Sequence, residues 1–134
     1  MSGCVLDTDV VIAALDRSDA HHADAAEGIK TMIASGVPLL FSLINYAETL
    51  VRPASDEQAL RAAIDALGTL GIRLVAPTPA VAVDAARYRA LNISLADGFA
   101  LATAQAYRAR VASFDRRVRR ALPKVGLELA AEFS

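Results

Sequence analysis

Acidic side chains at widely separated positions offer this chain its clearest chemistry. Asp7 follows the apolar run Cys4-Val5-Leu6, and Asp115 follows Val111-Ala112-Ser113-Phe114. Short apolar runs bounded by turn signals read as buried strands. In open α/β sheets, ligands sit beyond the carboxyl ends of the strands. A carboxylate at one such exit could simply cap the next helix. Two at equivalent exits favour a site, because adjacent parallel strands lie about 4.8 Å apart. Glu48 sits within Leu43-Ile44-Asn45-Tyr46-Ala47-Glu48-Thr49-Leu50-Val51, a helical stretch apolar nearly all round and so expected to be largely buried. A buried glutamate is costly unless it is paired or binds a metal. Asp97 closes Ser94-Leu95-Ala96-Asp97, which is also a capping-box pattern. The cap and the site are compatible roles, since a helix N-terminus favours negative charge.

We therefore expect Asp7, Glu48, Asp97 and Asp115 to converge on a metal ion. Like charges at 4 Å repel by about 4 kcal/mol at an effective dielectric near 20, so they need protons or a cation. Oxygen donors with no nearby His or Cys suit Mg²⁺ or Mn²⁺. One or two such ions support phosphodiester hydrolysis by activated water without a protein nucleophile. Asp9 and Thr8 are expected as supporting groups or caps. Asn45 lies one turn before Glu48, and Ser113 could orient a ligand or water. His21 and His22 point about 100° apart on a helix and read as surface residues. No nucleophile elbow, P-loop or dinucleotide-binding glycine pattern is present.

The elements that must position these groups follow from pattern. Strands are expected at Cys4–Leu6, Pro38–Ser42, Ile72–Val75 and Val111–Phe114, with a final edge strand at Leu127–Leu129. Helices are expected over 10–15, from about Ala20 to Ser35 with Gly36 closing it, from Ser42 to Val51, from the capping box Ser55-Asp56-Glu57-Gln58 to Gly68 and Gly71, from Thr78 to about Leu91, from Ser94 to Tyr107, and over 116–122. Strands alternating with helices argue for an α/β fold: one domain over residues 1–134, with a central, mostly parallel sheet of four to five strands and helices on both faces.

The chain has 134 residues and a net charge of −1, which does not by itself announce nucleic acid. Its charge is segregated, however. Asp7, Asp9, Asp16, Asp19, Asp24 and Glu27 face only Arg17 in the first segment. Arg108, Arg110, Arg116, Arg117, Arg119, Arg120 and Lys124 make up half of the 14 Lys and Arg residues, with Asp115 the only acid among them. Such a segment is either a solvated helix face or a phosphate-backbone contact. No apolar run reaches the length of a membrane span. The first residues lack a signal-type basic region. The single cysteine, Cys4, reads as an inert core thiol. A cytoplasmic protein is expected.

Taken together, Val5-Leu6-Asp7-Thr8-Asp9, Tyr46-Ala47-Glu48-Thr49, the run from Ser94 to Ala104, and Ser113-Phe114-Asp115-Arg116 resemble the motifs of PIN domains, in particular the VapC-type toxin ribonucleases of toxin–antitoxin pairs. Asp9 is a mild variation on the opening motif. The resemblance spans nearly the whole chain. It implies a Mg²⁺- or Mn²⁺-dependent endoribonuclease that cleaves tRNA or ribosomal RNA and inhibits translation. It also implies a homodimer and a cognate antitoxin that occludes the acidic site. Arg116, Arg117, Arg119, Arg120 and Lys124 would then contact RNA. Alternatives are a non-catalytic PIN-like module that binds RNA or a partner, and a haloacid-dehalogenase-like phosphatase, whose opening Asp7-Thr8-Asp9-Val10-Val11 fits. The second needs a downstream lysine before an acid pair, and neither Lys30 nor Lys124 supplies one.

Overall fold

The computed structural model describes residues 2–134. Four strands, β1 (Cys4–Leu6), β2 (Leu39–Ser42), β3 (Arg73–Val75) and β4 (Arg110–Ala112), form one sheet in the order β3-β2-β1-β4. All its pairings are parallel. Seven α-helices connect and cover it: α1 (Thr8–Leu15), α2 (His22–Ala34), α3 (Leu43–Leu50), α4 (Glu57–Thr69), α5 (Pro79–Arg87), α6 (Leu95–Tyr107) and α7 (Arg116–Ala121).

The side-chain alternation of β1 builds both layers. Cys4 and Leu6 point into a core with Val10, Val11, Ala25, Ile29, Met32 and Phe133, which α1 and α2 largely supply. Val5 points the other way, toward Ala100, Leu101 and Ala104 of α6 and Val118 and Ala121 of α7. Residues two apart on a strand share a face, so this three-residue strand serves two cores. Cys4 is fully buried, and burial pushes its thiol up to about 12, so it is an inert packing residue. No helix among the described residues is long and apolar enough to cross a membrane.

Register does the positioning. Leu6 pairs with Ala112, so the next residues out of the sheet, Asp7 and Ser113, leave side by side. The Asp7 N–H still donates to the Ala112 carbonyl at 2.9 Å. On the far side of α6, Gly98 lets that helix close on α5. A Cβ at Gly98 would lie 2.7 Å from the Ala85 carbonyl oxygen. This close approach sits one residue beyond Asp97.

Several boundaries differ from the sequence reading. Strand β4 ends at Ala112, because Ser113 and Phe114 spend their polar groups on aspartates rather than on the sheet. The expected final strand reduces to a single parallel pairing of Val111 with Leu129, held by hydrogen bonds from Val111 N to Glu128 O and Ala130 N to Val111 O. Helix α1 begins at Thr8, with Asp7 as its cap. Helix α2 begins at His22, because Asp19 caps the preceding turn through the His21 N–H. Asp56, not Ser55, caps α4 by accepting from Ala59 N at 3.2 Å, while Ser55 Oγ donates to the Arg52 carbonyl. Gly68 lies inside α4, and the chain turns at Gly71, whose φ is +67°. Helix α3 is not the largely buried element its composition suggested. It buries Asn45 and Thr49, while Leu43 and Val51 stay exposed, because only one of its faces meets α1 and α6.

Candidate active site at the carboxyl end of the sheet

Asp7 is the centre of the site and is 1 % exposed. As the cap of α1 its Oδ1 accepts from Thr8 N at 2.9 Å, and its Oδ2 accepts from Ser113 Oγ at 2.8 Å. Burial pushes its carboxyl well above the usual range, and the charges of Asp9 and Asp97 push it further. The bonds from Ser113 and Thr8 pull the other way and do not win. Ser113 Oγ also accepts from Asp115 N at 3.1 Å. One buried hydroxyl thereby ties β1's exit to the start of α7.

Asp9 stands in the first turn of α1. Its Oδ2 accepts from Phe114 N at 3.0 Å. Burial raises its carboxyl to about 6, with Asp115 and Asp97 adding to the rise against bonds from Phe114 and Val10. That rise corresponds to roughly 3 kcal/mol against the charged form. Asp97 forms a reciprocal capping box with Ser94: Ser94 N donates to Asp97 Oδ2 at 3.1 Å and Asp97 N donates to Ser94 Oγ at 3.0 Å. Asp115 caps α7 by accepting from Arg117 N at 2.7 Å and Val118 N at 3.4 Å. The Arg117 guanidinium lies 3.9 Å from it.

Asp7, Asp9, Asp97 and Asp115 thus share one neighbourhood, each acting on at least one other. Glu48 is placed differently. It is exposed and lines a separate cavity between α1, α3 and α4 with Ile12, Asp16 and Arg52. Asn45, one turn earlier, is the α3 residue that reaches the site. Fully buried, it donates through Nδ2 to Thr8 Oγ1 at 3.0 Å and to the Ala96 carbonyl at 3.1 Å. It locks α3 to the first turns of both α1 and α6, and so fixes where Asp97 stands.

Two acceptors at this end are buried with no donor among the described residues, Asp9 Oδ1 and Asn45 Oδ1. Such atoms cost free energy unless water or a cation meets them. Among those residues no three His, Cys, Asp or Glu side chains draw together into a ready-made metal cage. The donor set still fits Mg²⁺, which is held through one or two carboxylates and keeps several waters.

Sequence reasoning treated Asp9 as peripheral and missed Phe114. The Phe114 ring stacks on His21 with centroids 4.3 Å apart and planes 10° from parallel, and it meets Phe133 at 5.6 Å. An aromatic residue wedged between Ser113 and Asp115 was the available signal. His22 is not a surface residue either: it is half-buried, with Nδ1 against the Ala13 carbonyl at 2.7 Å. In the basic segment, Arg116, Arg117, Arg120 and Lys124 are exposed. Arg119 is already engaged, donating from Nε to Ser113 O at 2.7 Å and from Nη2 to Phe133 O at 2.6 Å, so its first role is to brace the β4–α7 turn.

The four-stranded parallel sheet carries aspartates at its carboxyl end, and the model of the PIN domain family matches residues 4–122; the chain belongs to the PIN domain family. Comparison with curated proteins gives no match. Among solved structures, the chain resembles the VapC20 toxin of Mycobacterium tuberculosis, described as cleaving the sarcin-ricin loop, with a TM-score of 0.70, 20% identity and coverage of 89% of this chain and 95% of that one. VapBC2 of Rickettsia felis, bound to a promoter DNA fragment, gives a TM-score of 0.74 at 14% identity, covering 95% and 96% of the two chains. A toxin–antitoxin complex of Klebsiella pneumoniae gives 0.68 at 19%, covering 98% and 99%.

Proposed function

We propose that this protein is a metal-dependent endoribonuclease and the toxin of a toxin–antitoxin pair. One observation carries the reading: Asp7 is buried, the charges of Asp9 and Asp97 act on it, and a PIN fold surrounds them. Burying such a set costs stability, and proteins keep costly groups of this kind at functional sites. The fold neighbours are toxins or toxin–antitoxin complexes, which supports an antitoxin as partner, and one of them is described as cleaving the sarcin-ricin loop, which supports RNA as the substrate class; tRNA or ribosomal RNA as the target follows from the family resemblance. A homodimer and a cytoplasmic location belong to the same reading.

Asp7, Asp97 and Asp115 would hold a Mg²⁺ or Mn²⁺ ion, with Asp9 Oδ1 beside them. Glu48 enters the set on the family resemblance, from its exposed position on α3. When bound, the ion supplies Lewis-acid activation of water and neutralises charge on the scissile phosphate. The residues of this chain do the rest. Ser113 and Thr8 orient the Asp7 carboxyl. Asn45 fixes the start of α6 and hence Asp97. Arg116, Arg117, Arg120 and Lys124 offer an exposed cationic rim for the RNA backbone. PIN membership leaves the phosphatase alternative without support.

The test is incubation of the purified, antitoxin-free protein with total tRNA and ribosomal RNA, with Mg²⁺, Mn²⁺ or EDTA, beside Asp97→Asn. Discrete fragments that require metal and disappear in the variant are expected. Weak metal binding without cutting would favour the non-catalytic RNA- or partner-binding module instead. Equal cutting by the variant would refute the site assignment.

A further inference from the structure

The Phe114 backbone helps to hold the acids, but the stacked rings of His21 and Phe114 stand beside that network with another part to play. Phe114 lies between Ser113 and Asp115 in the chain, and its own N–H is bonded to Asp9. Its ring is half-buried and backed by Phe133. His21 covers it face to face and is exposed, so one imidazole face rests on Phe114 and the other opens to solvent. The backbone that carries the imidazole is anchored as well: the His21 main-chain N–H donates to Asp19 Oδ1 at 2.8 Å, and His22 pins the start of α2 to the Ala13 carbonyl. A flat ring, pre-stacked and fixed at the edge of the aspartate ring, is a platform with one free face.

We infer that His21, braced by Phe114, is a stacking platform for an unpaired base next to the scissile phosphate, which makes the substrate RNA that is single-stranded at that position. The inference rests on the ribonuclease reading for its substrate. Every base offers a π-face to such a platform, whereas a base inside a duplex is stacked on its neighbours and cannot reach it. The surrounding charge sets the orientation. The adjoining cavity of about 520 Å³ has Asp24 and Glu27 on its α2 side and Arg116 and Arg119 on its α7 side; Glu132 also lines it but is paired with Arg110, and Arg119 is engaged by backbone carbonyls, which leaves Arg116 as the cation that faces a ligand. The phosphates are drawn toward Arg116, and the neutral base is left to face α2 over His21.

The test uses an Asp97→Asn protein, so that RNA is not consumed. The probes are a single-stranded oligoadenylate carrying one fluorescent adenine analogue quenched by stacking, and the same strand annealed to its complement. Quenching with the single strand and none with the duplex is expected. Adding His21→Ala should weaken binding by about 5- to 100-fold and abolish the quenching. His21→Phe should restore both. His21→Leu, which still covers Phe114 as packing, should not. Binding and quenching in His21→Ala equal to the parent, or no binding by the parent, would overturn the platform. With Asp97 restored, metal-dependent cleavage that His21→Ala leaves at an unchanged KM also overturns the platform while the ribonuclease reading survives. Quenching on His21 without any cleavage sustains the platform and sinks the ribonuclease reading.

Discussion

The two ends of the sheet handle charge in opposite ways. At the amino end, a cavity of about 850 Å³ is lined by Arg108 and Arg110 on one hand and Glu128 and Glu132 on the other. Its charges are matched, and Arg110 meets Glu132 at 3.3 Å. At the carboxyl end there is less room and no such matching. Asp7 is buried and Asp9 half-buried, Asp97 acts on both and Asp115 on Asp9, and Asp9 Oδ1 has no donor among the described residues. The larger space is the quieter one. Balanced charge costs little and does little, while unbalanced buried charge is a standing demand for a cation. Chemistry follows the imbalance and not the volume.

That contrast breaks most visibly on activity. Replacing Asp7 by Asn should lower RNA cleavage by about a thousandfold or more, because several kcal/mol of charge stabilisation depends on the held ion. Arg110→Met at the other end should change it less than about threefold. Comparable losses in a fragment-release assay would mean that the two ends are coupled and the contrast is misplaced.

The next effect is on stability. Gly98→Ala should cost about 1–3 kcal/mol by forcing a methyl against the Ala85 carbonyl. This is a drop of roughly 3–10 °C in Tm by thermal unfolding. Because Asp97 is the adjacent residue, activity should fall as well. Full stability in this variant would show that α5 and α6 part easily.

The pH response sharpens the comparison further. The carboxyls of Asp7 and Asp9 are raised on folding, so the neutral form favours the native state. Their contribution is whole below the unfolded value of 3.8 and is lost as pH rises through about 6 for Asp9, with the loss at Asp7 running in the same direction. Metal-free protein should therefore lose Tm across this window. Mg²⁺ should raise Tm more at pH 7.5 than at pH 5, since only the ionised carboxylates bind it. An equal Mg²⁺ effect at both pH values would place the ion elsewhere. Smallest of all, Glu132→Gln at the balanced end should lower stability by no more than about 1 kcal/mol in thermal unfolding, because its ion pair with Arg110 keeps partial contact with solvent.

Much of this was legible in residue order. The alternation of apolar runs with helical periods specifies the parallel sheet. Asp7 and Asp115 mark strand exits because each ends an apolar run at a turn, and Ser94 with Asp97 reads directly as a capping box. These are local signals, set by one stretch of chain and its own backbone. Tertiary structure decided what no single stretch could. Glu48 and Asn45 lie on one short helix, yet Asn45 is the one buried against Thr8 and Ala96 while Glu48 faces out. Asp9 joins the acids because the β1–β4 register delivers Phe114 N to its carboxylate. Arg119 turns from the solvent rim to the backbone of Ser113 and Phe133, and His21 finds Phe114 from far along the chain. Periodicity reports which face of an element is apolar. Which polar atom meets which depends on register and helix rotation, and those are fixed only when the layers pack.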